Sequence, residues 1–83
     1  MTAPTVTVYT APSCQACTLT KRHLDRIGVP YTEVPIGKDA LVLDAMKFCD
    51  FTQAPVVCAS VNGEELAWDG YRPDRLDALR GAA

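Results

Sequence analysis

Three features of this 83-residue chain predict an α/β domain. Threonines alternating with valine and tyrosine up to Thr10 hand over at once to a segment with helical spacing. A compact apolar stretch, Pro55-Val56-Val57-Cys58-Ala59, has the character of a buried strand, and Asn62-Gly63 supplies a hairpin turn soon after it. Together they give the order β-α-β-α-β-β-α. Its first half is a βαβ unit, whose parallel strand pair needs covering helices. The expected architecture is a single domain over residues 1–83, a four-stranded mixed sheet with helices on both faces.

The first strand is expected over Val6 to Thr10, where β-branched and aromatic residues favour a pleated surface, and Ala11-Pro12-Ser13 breaks it. A helix follows from Cys14 to Ile27, with Thr20, Lys21, Leu24 and Ile27 recurring at helical spacing. Gly28 and the nearby Pro30 end it. Tyr31 to Ile36 forms the second strand, and Pro35 sits near its end, where a missing N–H is tolerated. Asp39 is positioned to cap a second helix with Val42, Ala45, Met46 and Cys49 as its inward stripe. After the Pro55–Ala59 strand and its turn, a short strand is expected near Glu65-Leu66-Ala67-Trp68. Asp74, Leu76, Leu79 and Arg80 mark a terminal helix. Tyr9 and Phe48 are assigned to the core, and Cys49 and Cys58 are read as small buried hydrophobes.

Composition narrows the function. The chain is 48% hydrophobic and 22% charged, which is ordinary for a globular domain. Its formal net charge of −2 and the absence of a basic stripe argue against a nucleic-acid partner. No stretch approaches the roughly 18 apolar residues of a membrane span. Met1-Thr2-Ala3-Pro4 has no charged leader, so the four cysteines are expected in a reducing cytoplasm rather than in a disulfide-stapled secreted domain.

The chemistry concentrates in Cys14-Gln15-Ala16-Cys17, a C-x-x-C at the strand-to-helix junction. Unpaired N–H groups and the macrodipole at a helix start stabilise an anion. Thiolate is the reactive form of cysteine, and such placement lowers its pKa from about 8.5 to about 7 or below. Cys17, in the first turn, is close enough to close a disulfide with Cys14. Cys14, the more exposed, is expected to attack a partner disulfide, and Cys17 then to attack Cys14 and release the reduced partner. His23 beside Lys21 and Arg22 is read as part of a solvated helix face. Lys21 and Arg22 themselves fit either an ordinary exposed face or a source of positive potential near the thiolate. The competing reading of the four cysteines is a structural zinc site, but eight residues separate Cys49 from Cys58 where zinc modules use tight pairs.

Three segments together resemble the NrdH-redoxin branch of the glutaredoxin-like proteins of the thioredoxin superfamily. They are Val8-Tyr9-Thr10 leading into the C-x-x-C, then Gln53-Ala54-Pro55-Val56-Val57, and finally Trp68-Asp69-Gly70-Tyr71-Arg72-Pro73-Asp74. The resemblance implies a thioredoxin-like fold and a dithiol electron carrier with no bound cofactor beyond its redox-active disulfide. It implies reduction by thioredoxin reductase, delivery of electrons to the large subunit of a class Ib ribonucleotide reductase, and a monomeric state. Carried over by residue, Cys14 matches the nucleophilic cysteine and Cys17 the resolving one. Pro55 matches a cis-proline facing the disulfide, which would present the Ala54 backbone to an extended partner segment. Trp68, Gly70, Tyr71 and Arg72 match a signature loop beside the site, with Trp68 expected to anchor it toward the partner. Gly70 would permit a positive φ or a close backbone approach.

Departures bear on the substrate. Ala11 stands where many glutaredoxins carry a lysine for glutathione, and Tyr71-Arg72-Pro73 replaces an acidic pair found in glutathione-binding members. Both weaken glutathione dependence. Pro35 replaces a common acidic residue, and Asp50 stands where a helix-ending glycine is usual. The alternatives that the residues leave open are a glutathione-dependent dithiol glutaredoxin and a non-enzymatic zinc-binding or interaction module on the same fold.

Overall fold

The computed structural model describes residues 4–36, 40–51 and 53–81. The chain runs β1 (Thr5–Thr10), α1 (Gln15–Ile27), β2 (Thr32–Pro35), α2 (Ala40–Phe48), β3 (Val56–Val61), β4 (Glu64–Asp69) and α3 (Pro73–Gly81). This is the expected order. The four strands form one mixed sheet in the order β2-β1-β3-β4, with β1 parallel to β2 and antiparallel to β3, and β3 antiparallel to β4.

Strand alternation assigns the two faces. Val6 and Val8 of β1 pair with Ala59 and Val57 of β3, and Val57 pairs with Trp68 of β4. These side chains join Leu24 and Val29 from the α1 end and Leu76 and Leu79 from α3 in one buried cluster. The opposite face carries Thr7, Tyr9, Val56, Cys58 and Ala67, and α2 lies over its Tyr9–Val56 end.

Local chemistry sets the boundaries. Gly28 takes φ 75° beyond α1, with its N–H bonded to Asp25 O and the Val29 N–H to Leu24 O, so Leu24 and Val29 meet in the core across the cap. The same arrangement ends α2. There Asp50 takes φ 58°, with Asp50 N donating to Lys47 O and Phe51 N to Met46 O. Asparagine and glycine fill both left-handed positions of the β3–β4 turn, at φ 52° and 84°.

Helix α2 departs from expectation. Asp39 and the side chain of Val42 lie outside the described residues. Phe48, expected in the core, is 90% exposed, because two residues on a helix turn it about 200° away from the inward Met46. Cys49 is exposed and Cys58 only half-buried. With Ala45, Met46 and Tyr9 they line an apolar cavity of about 290 Å³ between α2 and the sheet. A nine-residue helix is too short to seal this face.

Leu24 is fully enclosed between α1 and the sheet, so Leu24→Ala should remove about 2–5 kcal/mol of stability through lost burial and a residual cavity. Urea titration of the folded protein measures this, and a loss below about 1 kcal/mol would show that the α1 face can collapse around the gap.

Candidate active site

The turn Ala11-Pro12-Ser13 lifts the chain out of β1, with Ser13 at φ 56°, and sets Cys14 as the N-cap of α1 at φ −101°, ψ 107°. The Cys14 sulfur accepts the N–H of Cys17 at 3.0 Å, taking the role usually filled by a serine or aspartate oxygen. No acidic residue stands in the first turn to compete for the positive helix end. Cys14 and Cys17 are joined as a disulfide, with their Cα atoms 5.2 Å apart. Cys14 is half-exposed, while Cys17 is 3% exposed. One sulfur thus reaches solvent and the other is shielded one turn in, an arrangement compatible with disulfide exchange.

A groove of about 450 Å³ opens beside the disulfide, lined by Ser13, Cys14, Gln15 and Cys17 and continuing to Lys21 and Glu33. The Lys21 ammonium lies 3.1 Å from the Glu33 carboxylate, which also accepts the Thr10 hydroxyl at 3.0 Å. The Lys21 hydrogen bond first, and the Thr10 hydrogen bond second, hold the Glu33 carboxyl below its ordinary range. Lys21 is therefore committed to Glu33 and is not a free cation facing the thiol. Cys58, on the other face of the sheet, has the opposite environment: burial first, then Cys49 and Glu65, push its thiol up. It is correspondingly the poorer nucleophile.

The remaining expected residues fall into distinct places. Pro55 is buried just before β3, and the Ala54–Pro55 peptide is cis. The Pro55 carbonyl accepts the Gly70 N–H at 2.8 Å, which binds the half-buried Ala54 segment to the loop after β4. Gly70 takes φ 78°, a conformation that favours glycine, and a Cβ there would only displace the amide end of the exposed Gln53 side chain, 2.9 Å away. Arg72 is exposed, and its carbonyl accepts the Arg75 and Leu76 N–H groups, making it the cap of α3.

Trp68 was expected to face partners, and the structure corrects this. It is 4% exposed in the core cluster, because its strand position pairs with Val57 on the buried face. Its Nε1–H is buried without an acceptor among the described residues, and Arg75, not Arg72, lies 5.8 Å from its ring. Trp68 belongs to the core cluster against which Tyr71 of the loop packs.

His23 is also corrected. It is 5% exposed, not solvated, with Nε2 2.7 Å from Asp77 Oδ1 and Nδ1 3.0 Å from the Tyr71 hydroxyl. A sequence signal existed: His23 stands three residues after Thr20 and four before Ile27, on the margin of the buried helical stripe. The four cysteines divide between the active-site groove and the α2 cavity, and no group of three metal-ligating side chains converges among the described residues. None of the described helices is long and apolar enough to cross a membrane.

Because the folded state holds Glu33 below its ordinary range, the Lys21–Glu33–Thr10 contact stabilises the fold above the unfolded carboxyl value, about pH 4.3. That contribution disappears as pH falls through the lower folded value. Glu33→Gln should flatten the acid side of the stability profile and show less dependence on salt than the parent. Denaturant melts across that range test it, and superimposable profiles would dismiss the contact.

Comparisons with known proteins agree with this geometry. The glutaredoxin family profile matches residues 6–65. The chain is 31% identical over 77 residues to the glutaredoxin-like protein NrdH of Escherichia coli K12, covering 93% of this chain and 90% of that protein. It is 31% identical over 74 residues to the gene 56 protein of Mycobacterium phage D29, covering 89% and 80%. The solved structure of Escherichia coli NrdH-redoxin superimposes with a TM-score of 0.77 at 31% identity, over 90% of this chain and 93% of that one.

Proposed function

The chain belongs to the glutaredoxin family as an NrdH-type thiol–disulfide oxidoreductase, and on that premise we propose that it is a dithiol electron carrier reduced by thioredoxin reductase. Its electrons go to the active-site disulfide of a class Ib ribonucleotide reductase large subunit, and it works as a cytoplasmic monomer. The observation that carries the reading is the Cys14 sulfur held at the N-cap of α1, half-exposed, with Cys17 shielded behind it.

In the reduced carrier the Cys14 thiolate attacks one sulfur of the partner disulfide. A mixed disulfide forms, and the partner's other sulfur leaves as a thiolate and takes up a proton. Cys17 loses its proton and attacks Cys14, forming the Cys14–Cys17 bond and expelling the partner's second sulfur. Two electrons have then passed to the partner. The dithiol of the reductase reverses the sequence on the carrier.

The choice of reductase over glutathione rests on the groove and the loop. Lys21, the cation lining the groove, is neutralised by Glu33, and Ala11 offers no charge to a glutathione carboxylate. The loop from Gly70 to Arg72 is tied to Pro55 and capped onto α3, a surface suited to a protein partner. The related Escherichia coli NrdH-redoxin is itself described by a thioredoxin-like activity profile.

Two measurements test the proposal. NADPH with thioredoxin reductase should reduce the purified disulfide form efficiently, and glutathione with glutathione reductase poorly. Equal turnover would install the glutathione-dependent alternative. Cys17→Ser should accumulate a mixed disulfide with a protein substrate, whereas Cys14→Ser should give none. Trapping through Cys17 in the absence of Cys14 would reverse the two roles.

A further inference from the structure

We infer that His23 is a positioning residue: through Tyr71 it fixes the loop from Gly70 to Arg72 relative to the helix that carries the dithiol. The inference rests on the proposed function in that it takes this loop as a surface met by protein partners.

The geometry leaves the imidazole no freedom. Nε2 lies 2.7 Å from a carboxylate oxygen of Asp77 on α3, so this nitrogen carries a proton and donates it. Nδ1 faces two donors, the Tyr71 hydroxyl at 3.0 Å and an Arg26 guanidinium N–H at 3.2 Å. Arg26 has no acceptor capacity, so Nδ1 is the acceptor and its one lone pair is shared between the two donors. The tautomer is thereby assigned by the neighbours. The Tyr71 ring also meets the imidazole edge-on, with centroids 5.9 Å apart.

The three partners come from three segments: Arg26 from α1 itself, Tyr71 from the loop and Asp77 from α3. Tyr71 directly follows Gly70, whose N–H is bound to the Pro55 carbonyl. A continuous path therefore joins α1 to the loop and on to the Ala54–Pro55 segment. Helix α1 begins at the cysteine pair, and His23 lies in the same rigid element. Backbone bonds alone fix Gly70 and cap α3 at Arg72, and the His23–Tyr71 bond sets the side-chain face between them. Loss of this bond leaves the thiols in place and lets the docking surface move against them.

Asparagine and glutamine separate the two halves of this contact, because the amide of Asn reaches the Nδ1 position and that of Gln the Nε2 position. His23→Asn keeps an acceptor for Tyr71 and loses Asp77. His23→Gln keeps the donor to Asp77 and loses Tyr71. Tyr71→Phe deletes one oxygen and retains the ring. Each variant is assayed with thioredoxin reductase and, for reference, with a small aromatic disulfide, beside a thermal melt. His23→Gln and Tyr71→Phe should raise KM for the carrier in the reductase assay on the order of five- to tenfold relative to the small-disulfide reference, with kcat kept, as expected for one lost hydrogen bond. His23→Asn should stay near the parent value even where it melts earlier than His23→Gln. The inference is overturned if Asn and Gln fall together in step with Tm, or if Tyr71→Phe leaves KM unchanged. Tyr71→Phe decides the matter should a His23 variant fail to fold. Arg72→Ala distinguishes the two levels of the argument. A raised KM in Arg72→Ala alone removes His23 and keeps the docking loop, whereas no change in any of these variants removes both.

Discussion

A sulfur atom standing where a helix needs its first hydrogen-bond acceptor is the constraint around which this molecule is arranged. The Cys14 side chain accepts the Cys17 N–H, so the cap of α1 and the reactive group are one atom. A serine cap contributes helix stability alone. Here the same contact places the helix's uncompensated positive end on the sulfur, and the first turn contains no carboxylate to draw it away. The rest of the fold keeps that helix end still. Leu24 anchors α1 in the core, and Gly28 closes its far end with a cap that brings Leu24 and Val29 together.

Rigidity is distributed unevenly over the two faces of the sheet. The face under α1 and α3 is closed by valine, leucine and tryptophan, and at its margin a buried histidine meets partners that reach the surface. The other face has one nine-residue helix, an apolar cavity beneath it and an exposed phenylalanine above. Interior packing resists displacement only where it is dense. The dithiol helix lies on the dense side, and the two other cysteines lie on the loose side, Cys49 exposed at the end of α2 and Cys58 half-buried on the sheet.

What could be read from the sequence was local. A left-handed cap at Gly28 and at Asp50, an Asn-Gly turn and a C-x-x-C at a helix start are each decided by a few adjacent residues. Pairings between distant segments were not legible. His23 meets Tyr71 and Asp77 across 48 and 54 residues, and Lys21 meets Glu33 across 12. One-dimensional pattern treats an ionisable residue on a helix as exposed, and only the arrival of α3 converts His23 into a buried link. Phe48 and Trp68 erred in opposite directions for the same reason. Helical rotation carried Phe48 outward although its type suits a core, and strand register carried Trp68 inward although its neighbours form a surface loop.

The disulfide closes a ring between residues only three apart in sequence. In the chain-entropy view, cross-links stabilise by restricting the unfolded chain, and the effect grows with the length enclosed. A ring this short restrains little, contributing about 2 kcal/mol where a hundred-residue loop contributes nearly 5. Opening it therefore withdraws less than half of what the loss of such a long cross-link would. A molecule that alternates between two covalent forms at every turnover can then do so on one scaffold, since most of the cohesion lies in side chains that the electron transfer never touches.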